Sequence, residues 1–461
     1  MNRPYLFKSA TWVLPVLLLL SFLFPSMLRA QGMGKEETNE YTLERVVILS
    51  RHNIRSPLSG YGSLLGEITP HKWFEWSSAP SELSLRGGVL ETMMGQYFRK
   101  ELVGEGFFPD NYLPKAGEVR FYANSMQRTV ATAQYFSSGF LPLANVKVEH
   151  HLAIGNMDPV FNPQLTKTSP KFNALALEQI AKMGGGSLEG LGNKLTESYA
   201  LLSKVLDIKD SPLYKEGKFT FFKTDDTSLI LEKFKEPAMK GSLKTACSAA
   251  DALVLQYYEE RDAIKAAFGQ CLTTGDWEKI SLIKDWYGDI LFTSPAVCVN
   301  VAHPLLKEML SEMEVKGRKF SFLCGHDSNI GSVLAALQAE EYSLPGTIEK
   351  KIPIGCKLVI RKYIRTSDGK TFASLNLVYQ STGQLRSMSL LDEKNPPLSF
   401  KIKLIGLEEN ADGLYEYSDL KDRIIQAIDA YDVLPEEENV NVKAAEGIVS
   451  RLRPYNLKKG A

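Results

Sequence analysis

The pattern that most restricts what this chain can fold into is an interruption. From Leu43 to about His151, short apolar runs alternate with stretches of helical spacing. From Met157 to Ala302 the spacing is helical almost throughout, and beyond that strand patterns return. Before the interruption, "RVVILS" (Arg45–Ser50) reads as a buried strand and "SELSLRGGVLETMMGQYFRKEL" (Ser81–Leu102) as a helix with a serine cap. "EVRFYAN" (Glu118–Asn124) is a second strand, "SMQRTVATAQYFSSGF" a second helix and "VKVEHH" (Val146–His151) a third strand. After it come "RKFSFLCGH" (Arg318–His326), "CKLVIRKYI" (Cys356–Ile364) and "SLNLVYQ" (Ser374–Gln380). Such alternation predicts an α/β fold, a mainly parallel sheet with helices on both faces. The interrupting stretch holds "ALALEQIAKM", "LTESYALLSKVL", "ADALVLQYYEERDAIKAAF" and "WEKISLIKDWYGDILF" and reads as a largely helical insertion that splits the sheet. The expected organisation is an α/β domain from 41–156 and 303–432, a helical insertion at 157–302, and a polar C-terminal tail at 433–461.

The first thirty residues follow another logic. Arg3 and Lys8 precede the apolar run Trp12–Phe24, and Ala30 offers a small residue for cleavage, the layout of a secretory signal peptide. Without residues 1–30, which hold three basic side chains (Arg3, Lys8, Arg29) and no acidic ones, 51 basic residues face 54 acidic ones. That near-balance argues against a nucleic-acid partner, which would call for a basic face. A periplasmic or secreted protein is expected, with no stable membrane association after cleavage. Cys247, Cys271, Cys298, Cys324 and Cys356 are odd in number and show no CxxC spacing, which indicates neither a zinc site nor a dense disulfide framework. One or two disulfides are compatible with an oxidising compartment. The absence of any N-x-S/T acceptor favours a bacterial periplasm. The oligomeric state stays open, with a homodimer among the options.

Open α/β sheets bind ligands beyond the carboxyl ends of their strands, and three polar clusters sit at such ends. "SRHNIRSP" follows the first strand, "NSMQRT" the second, and "GHDSN" the strand that reopens the sheet. Singly, each residue has an ordinary explanation. Arg51, Arg55 and Arg128 could be solvated, His52 and His326 structural, and Asp327 or Ser328 a helix N-cap. Together they make an anion site. Three arginines can surround a phosphate with charge-assisted hydrogen bonds, helix N-termini add donors, and two histidines with a carboxyl group supply a nucleophile or base and an acid. No acidic cluster suited to Mg²⁺, no HExxH and no Walker A pattern accompanies them, so metal-free phosphoryl chemistry without a cofactor is expected.

"RHNIRSP" resembles the RHGxRxP signature of the histidine acid phosphatases, and "GHDSN" resembles their downstream His-Asp motif. "TPHKWFEW", "LRGGVLE", "YANSMQRTVATAQYF", "MDPVFNP", "VLQYYE" and "LFTSP" extend the likeness, from about Tyr41 to Asp432, to the periplasmic glucose-1-phosphatase branch. Asn53 stands where the usual signature has glycine, as in that branch. The resemblance implies a phosphoglycerate-mutase-like fold and a small-molecule sugar phosphate as substrate. It implies His52 as nucleophile forming a phosphohistidine, Arg51, Arg55, Arg128 and His326 as phosphate contacts, and Asp327 as the acid for the leaving oxygen. It also implies a carboxylate over the site that favours a small sugar phosphate over phytate. Glu259 in "QYYEE" is the matching position, Glu260 is a nearby substitute, and Leu58 lines the same pocket. His150 and His151 are read as structural. The other readings are a phytase or broad acid phosphatase, a non-catalytic phosphosugar-binding protein, and a phosphoglycerate-mutase-like transferase. The last two fit less well, because His52 and Asp327 are both present and the chain has a signal peptide and a large insertion.

Overall fold

The run "RVVILS" does become a strand, and it lies inside the sheet. β1 (Tyr41–Arg51) is buried continuously from Arg45 to Arg51, so both of its faces are covered and no polar alternation is needed. The computed structural model describes residues 40–59 and 63–436. The expected signal peptide and the tail beyond Glu436 lie outside the described residues. The other strands are β2 (Val119–Ala123), β3 (Val148–Glu149), β4 (Ser228–Ile230), β5 (Ala238–Lys240), β6 (Phe320–Gly325), β7 (Lys357–Arg365), β8 (Thr371–Tyr379), β9 (Leu398–Lys401) and β10 (Tyr415–Glu416). The main sheet has the order β10-β8-β7-β1-β6-β2-β3, with β9 also paired to β8, while β4 and β5 form a separate ribbon.

The sheet is mixed, which corrects the mainly parallel expectation. β1, β6, β2 and β3 pair in parallel, whereas β7, β8, β9 and β10 are joined by antiparallel ladders. The reason is local. Only residues 366–370 separate β7 from β8, and a parallel crossover needs a dozen or more residues.

Among the described residues, nine helices have ten or more residues: α1 (Leu85–Gly104), α2 (Gln127–Phe140), α3 (Pro170–Met183), α4 (Thr196–Val205), α5 (Ser242–Glu259), α6 (Thr274–Phe292), α7 (Pro295–Glu314), α8 (Asp327–Ala336) and α9 (Tyr417–Asp432). The cap of α1 is Ser84, whose Oγ accepts from the Gly87 N–H at 3.1 Å. Helices cover both faces of β6. Phe320 and Phe322 stack on Phe140 and Phe136 of α2 at 4.3 Å each, while Ser321, pointing the other way by the period of two, donates to Glu312 of α7. Each buried aromatic pair of this kind adds about 0.5–1.5 kcal/mol beyond area burial.

Residues 157–302 are helix-rich as the spacing predicts, apart from the β4–β5 ribbon. However, α7 runs straight through position 302, so the expected boundary does not fall at a loop, and from Glu40 on the chain groups into one compact unit. Of the tail, Leu434 is buried and the Pro435 carbonyl accepts from Ser169 Oγ at 2.9 Å. All five cysteines are free.

Parallel register brings the polar clusters together. Arg51 pairs with Gly325 and Ala123 with Cys324, so the next residues, His52, His326 and Asn124, leave the sheet side by side. Backbone bonds continue past the ladders, from His52 N–H to Gly325 O (3.0 Å) and from Asn124 N–H to Cys324 O (2.9 Å).

Candidate active site

These strand ends open into a cavity of about 440 Å³, lined by Arg51, His52, Arg55, Arg128, His326 and Asp327, with Leu58 at the rim, 60% exposed. The helix-rich segment supplies the opposite wall. Lys244, Cys247, Ser248 and Asp251 of α5 line the cavity, at the i, i+3, i+4, i+7 spacing of one helical face.

His52 is buried, and its Nδ1 lies 2.9 Å from the Asn53 carbonyl oxygen. A carbonyl only accepts, so Nδ1 carries the proton and Nε2 keeps its lone pair. Burial pushes the imidazole pKa well below its ordinary value, and Arg128, Arg55, His326 and Arg51 add to the effect. Such a ring stays neutral in acid and is a nucleophile for an anionic electrophile. His326, its ring centroid 5.5 Å from that of His52, is likewise lowered by burial and the arginines. The Asn124 Oδ1 accepts from the Asp158 N–H (2.8 Å), so its Nδ2 faces His326 Nε2 at 2.7 Å and fixes the ring's orientation.

The arginines differ in their partners. Arg51 Nη2 meets Asp327 Oδ2 at 3.1 Å and its Nη1 meets Glu349 Oε1 at 2.9 Å. Burial alone would lower its pKa, but Asp327 and Glu349 reverse this and raise it. Arg55 Nη2 meets Asp251 Oδ2 at 3.1 Å. Lys284 of α6 bridges the two, 3.1 Å from Glu349 Oε1 and 3.2 Å from Asp251 Oδ1. A chain of alternating charges, Arg51–Glu349–Lys284–Asp251–Arg55, therefore runs around the cavity. Burial opposes ionisation of Glu349, yet Lys284 and Arg51 hold it down at about 2. Arg128 makes no ion pair among the described residues, and burial with Arg55 nearby pushes it down to about 10. The Nε–H groups of all three arginines are buried without a hydrogen-bond partner. Each such donor costs about 1–3 kcal/mol until an acceptor is supplied.

Asp327 is the first residue of α8 and not its cap, which is His326. Its side chain is 53% exposed, and Oδ1 accepts from the Ser328 N–H at 2.9 Å. Loss of water on its cavity side works to raise its pKa, but Arg51 and Lys284 lower it overall. Without a ligand Asp327 is a carboxylate clamped by Arg51.

Glu259 does not line the cavity, contrary to the expectation. It ends α5, two turns beyond Asp251, or about 12 Å along the axis. There its Oε2 accepts from Ser84 Oγ at 2.9 Å and faces Arg86 Nε at 4.0 Å. Glu260, the cap residue after α5, does not line the cavity either. The carboxylates that the helix-rich segment turns into the cavity are Asp251, Asp285, Asp289 and Glu236, the last just before β5. Burial raises the Glu236 pKa, with Arg128 opposing and Asp327 assisting. Sequence reasoning missed Glu236, Asp251, Lys284, Glu349 and Asn124. For Asn124 a signal existed, since "NSMQRT" had been placed at a strand end.

Asn53 is held from beneath. Its Nδ2 donates to Glu91 Oε2 (2.8 Å), and Glu91 pairs at 2.7 Å with Lys357, both side chains fully buried. Two glycines make room for this. A Cβ on Gly355, which sits at φ +68°, would come 2.7 Å from Asn53 Nδ2, and one on Gly87 would come 2.3 Å from the Ile54 oxygen. His151 meets Asp158 at 3.4 Å, and His150 bonds the Leu152 carbonyl, outside the cavity wall.

A depressed His52 has a direct signature. In an NMR pH titration its imidazole resonances should not move as pH falls through ~6.5, the usual histidine value. The unprotonated, reactive form then persists into acid. A titration centred near that value would overturn this account of the ring.

Comparison with known proteins agrees with this geometry. The family model of the histidine phosphatase superfamily (branch 2) matches residues 42–379. A glucose-1-phosphatase of Providencia rettgeri is 37% identical over 85% of this chain and 93% of that protein. A glucose-1-phosphatase of Salmonella typhimurium is 38% identical over 84% and 93%. Among solved structures, the apo form of the Hafnia alvei phytase superposes with a TM-score of 0.77 at 25% identity, covering 86% of this chain and 99% of that one. Three arginines around a neutral histidine at the strand ends, within a match that spans most of the chain, lead to one assignment: this protein belongs to the histidine phosphatase superfamily, branch 2, and is a phosphoric monoester hydrolase.

Proposed function

We propose that this chain is a metal-independent acid phosphatase that hydrolyses sugar phosphates, with glucose 1-phosphate as its preferred substrate. The observation that carries the reading is the neutral, Nδ1-protonated His52 among three buried arginines. The names of the Providencia and Salmonella relatives support the sugar-phosphate class. In this reading His52 Nε2 attacks phosphorus while Arg51, Arg55 and Arg128 hold the non-bridging oxygens and His326 contacts one of them. Phosphoryl transfer depends on such positioning and spread positive charge more than on covalent push. The arriving phosphate competes with Asp327 for Arg51 and, as a neighbouring anion, raises the Asp327 pKa. Asp327 then takes up a proton and delivers it to the leaving sugar oxygen. Its carboxylate next accepts a proton from the water that attacks the phosphohistidine, which releases orthophosphate and frees His52.

Residues 41–156 and 303–432 form the phosphoglycerate-mutase-like catalytic body in this reading, and the helix-rich stretch 157–302 forms its specificity wall. Glu236 takes the role first given to Glu259, since a carboxyl group beside the phosphate can hydrogen-bond sugar hydroxyls and offers no cation to a second phosphate group. The charged and apolar order of residues 1–30 supports export to the periplasm. A phytase is the second reading, favoured by the likeness to the Hafnia alvei structure.

The test is phosphate release by residues 31–461 in EDTA at mildly acidic pH, comparing kcat/KM for glucose 1-phosphate, glucose 6-phosphate and phytate. A clear preference for glucose 1-phosphate is expected. Preference for phytate selects the second reading, and activity lost in EDTA but restored by a metal overturns metal independence. Binding of sugar phosphate without hydrolysis would mark a binding protein.

A further inference from the structure

The cavity does not end at the phosphate cage. A second chamber of about 270 Å³ adjoins it between α6, α8 and the segment 341–352. Asp285, Asp289, Thr293, Gly331, Lys351 and Ile352 line both. Alone the chamber is just under the ~300 Å³ at which ligand pockets usually begin, so its natural role is to lengthen its neighbour. Its direction matters. Gly331 lies one helical turn beyond Asp327 on α8, so the chamber begins one turn from the residue that protonates the leaving group in the phosphatase reading. A side chain there would press on the shared boundary, since a Cβ would come 3.2 Å from Ile352 Cδ1.

The chamber's walls are largely apolar, with Leu195, Leu282, Trp286, Leu334 and Tyr342. Its lysines lie over rings or are paired: Lys194 Nζ is 4.5 Å from the Trp286 centroid, Lys351 Nζ is 5.2 Å from that of Tyr342, and Lys350 pairs with Glu278 at 2.7 Å. At the threshold Asp285 Oδ2 accepts from the Lys350 N–H at 2.9 Å. The Asp289 carboxyl makes no hydrogen bond among the described residues. Burial pushes these two carboxyls up, to about 7 and about 6. As carboxyl groups they can exchange hydrogen bonds with the hydroxyls of a neutral leaving group, and they supply no cation to a second phosphate.

We propose that this chamber is a leaving-group subsite that seats an apolar or aromatic ring beyond the first ring of the substrate, so that the larger substrates are monophosphates with a neutral, ring-extended leaving group and not polyphosphates. The proposal rests on the phosphatase reading, and the test separates the two. Phenyl phosphate and 1-naphthyl phosphate have similar leaving groups, but only the second reaches past one ring. The naphthyl-to-phenyl ratio of kcat/KM should fall roughly tenfold in Leu282→Trp, the scale on which apolar pockets discriminate, while glucose 1-phosphate hydrolysis is unchanged. Leu282 lines this chamber and not the first, and it is exposed. Ala335→Met, which fills the same chamber from α8, should act alike and serves if the first variant folds poorly. An unchanged ratio in the folded variants, with glucose 1-phosphate still turned over, overturns the subsite and leaves the phosphatase reading standing. No hydrolysis of any of the three esters by the unaltered protein overturns both.

Discussion

Replacing His52 with alanine is expected to lower phosphate release by roughly three orders of magnitude or more, the scale on which loss of an activated nucleophile is felt. The loss should fall on kcat. Arg51, Arg55 and Arg128 are held by other partners or by burial, not by the His52 ring, so the variant should still bind orthophosphate in a calorimeter. The ring's hydrogen bond is to the Asn53 carbonyl next to it, and its removal should leave the melting temperature little changed. In acid-sensitive quench experiments with ³²P-labelled substrate, the unaltered protein should carry a phosphoimidazole label and His52→Ala should carry none. Turnover close to that of the unaltered protein would remove His52 from the reaction altogether.

The second large effect concerns stability. Glu91→Ala should cost about 3–5 kcal/mol, because breaking a buried ion pair from one side leaves the other charge uncompensated. Lys357 would keep no carboxylate, only Gly355 O at 3.0 Å, Ser50 Oγ at 3.3 Å and the Phe136 and Phe322 rings, inside a fully buried shell. The Asn53 amide would lose its acceptor as well. Urea unfolding reads the first consequence. A loss under about 1 kcal/mol, the level of an exposed pair, would show that water reaches the site. Glu91→Met combined with Lys357→Met should recover most of the stability, since replacing both partners with apolar groups is often neutral. The double variant would still leave Asn53 Nδ2 without its acceptor, with the bonds to Thr132 Oγ1 and from the Ile54 N–H remaining, and its kcat should be below that of the unaltered protein even where its stability is restored.

Much of this architecture was legible because it is written in contiguous runs. The six strands predicted from apolar runs are all present, and the clusters at three of their ends meet through parallel register. What could not be read is what convergence alone creates. Asp251, Lys284 and Glu349 sit on two helices and a loop, each a lone charge of the kind that usually faces water. Only the packing of α5 and α6 over the sheet turns them into one network. Glu259 failed for a related reason, since a sequence match gives the helix but not the turn of it that reaches the site. The mixed sheet was missed because alternation was extended to "CKLVIRKYI" and "SLNLVYQ", although the short span between them already required a hairpin.

The alternating chain Arg51–Glu349–Lys284–Asp251–Arg55, with Asp327 clamped at one end, bears on how long the product stays. Three bare arginines in a buried cavity would retain orthophosphate, the one anion an enzyme of this kind makes in every cycle. Resident carboxylates occupy Arg51 and Arg55 whenever the phosphate is gone, so for these two guanidinium groups departure exchanges one set of ion pairs for another, and Arg128 alone is left unpaired among the described residues. The network thus acts as a built-in competitor of the product, trading residence time for repeated turnover.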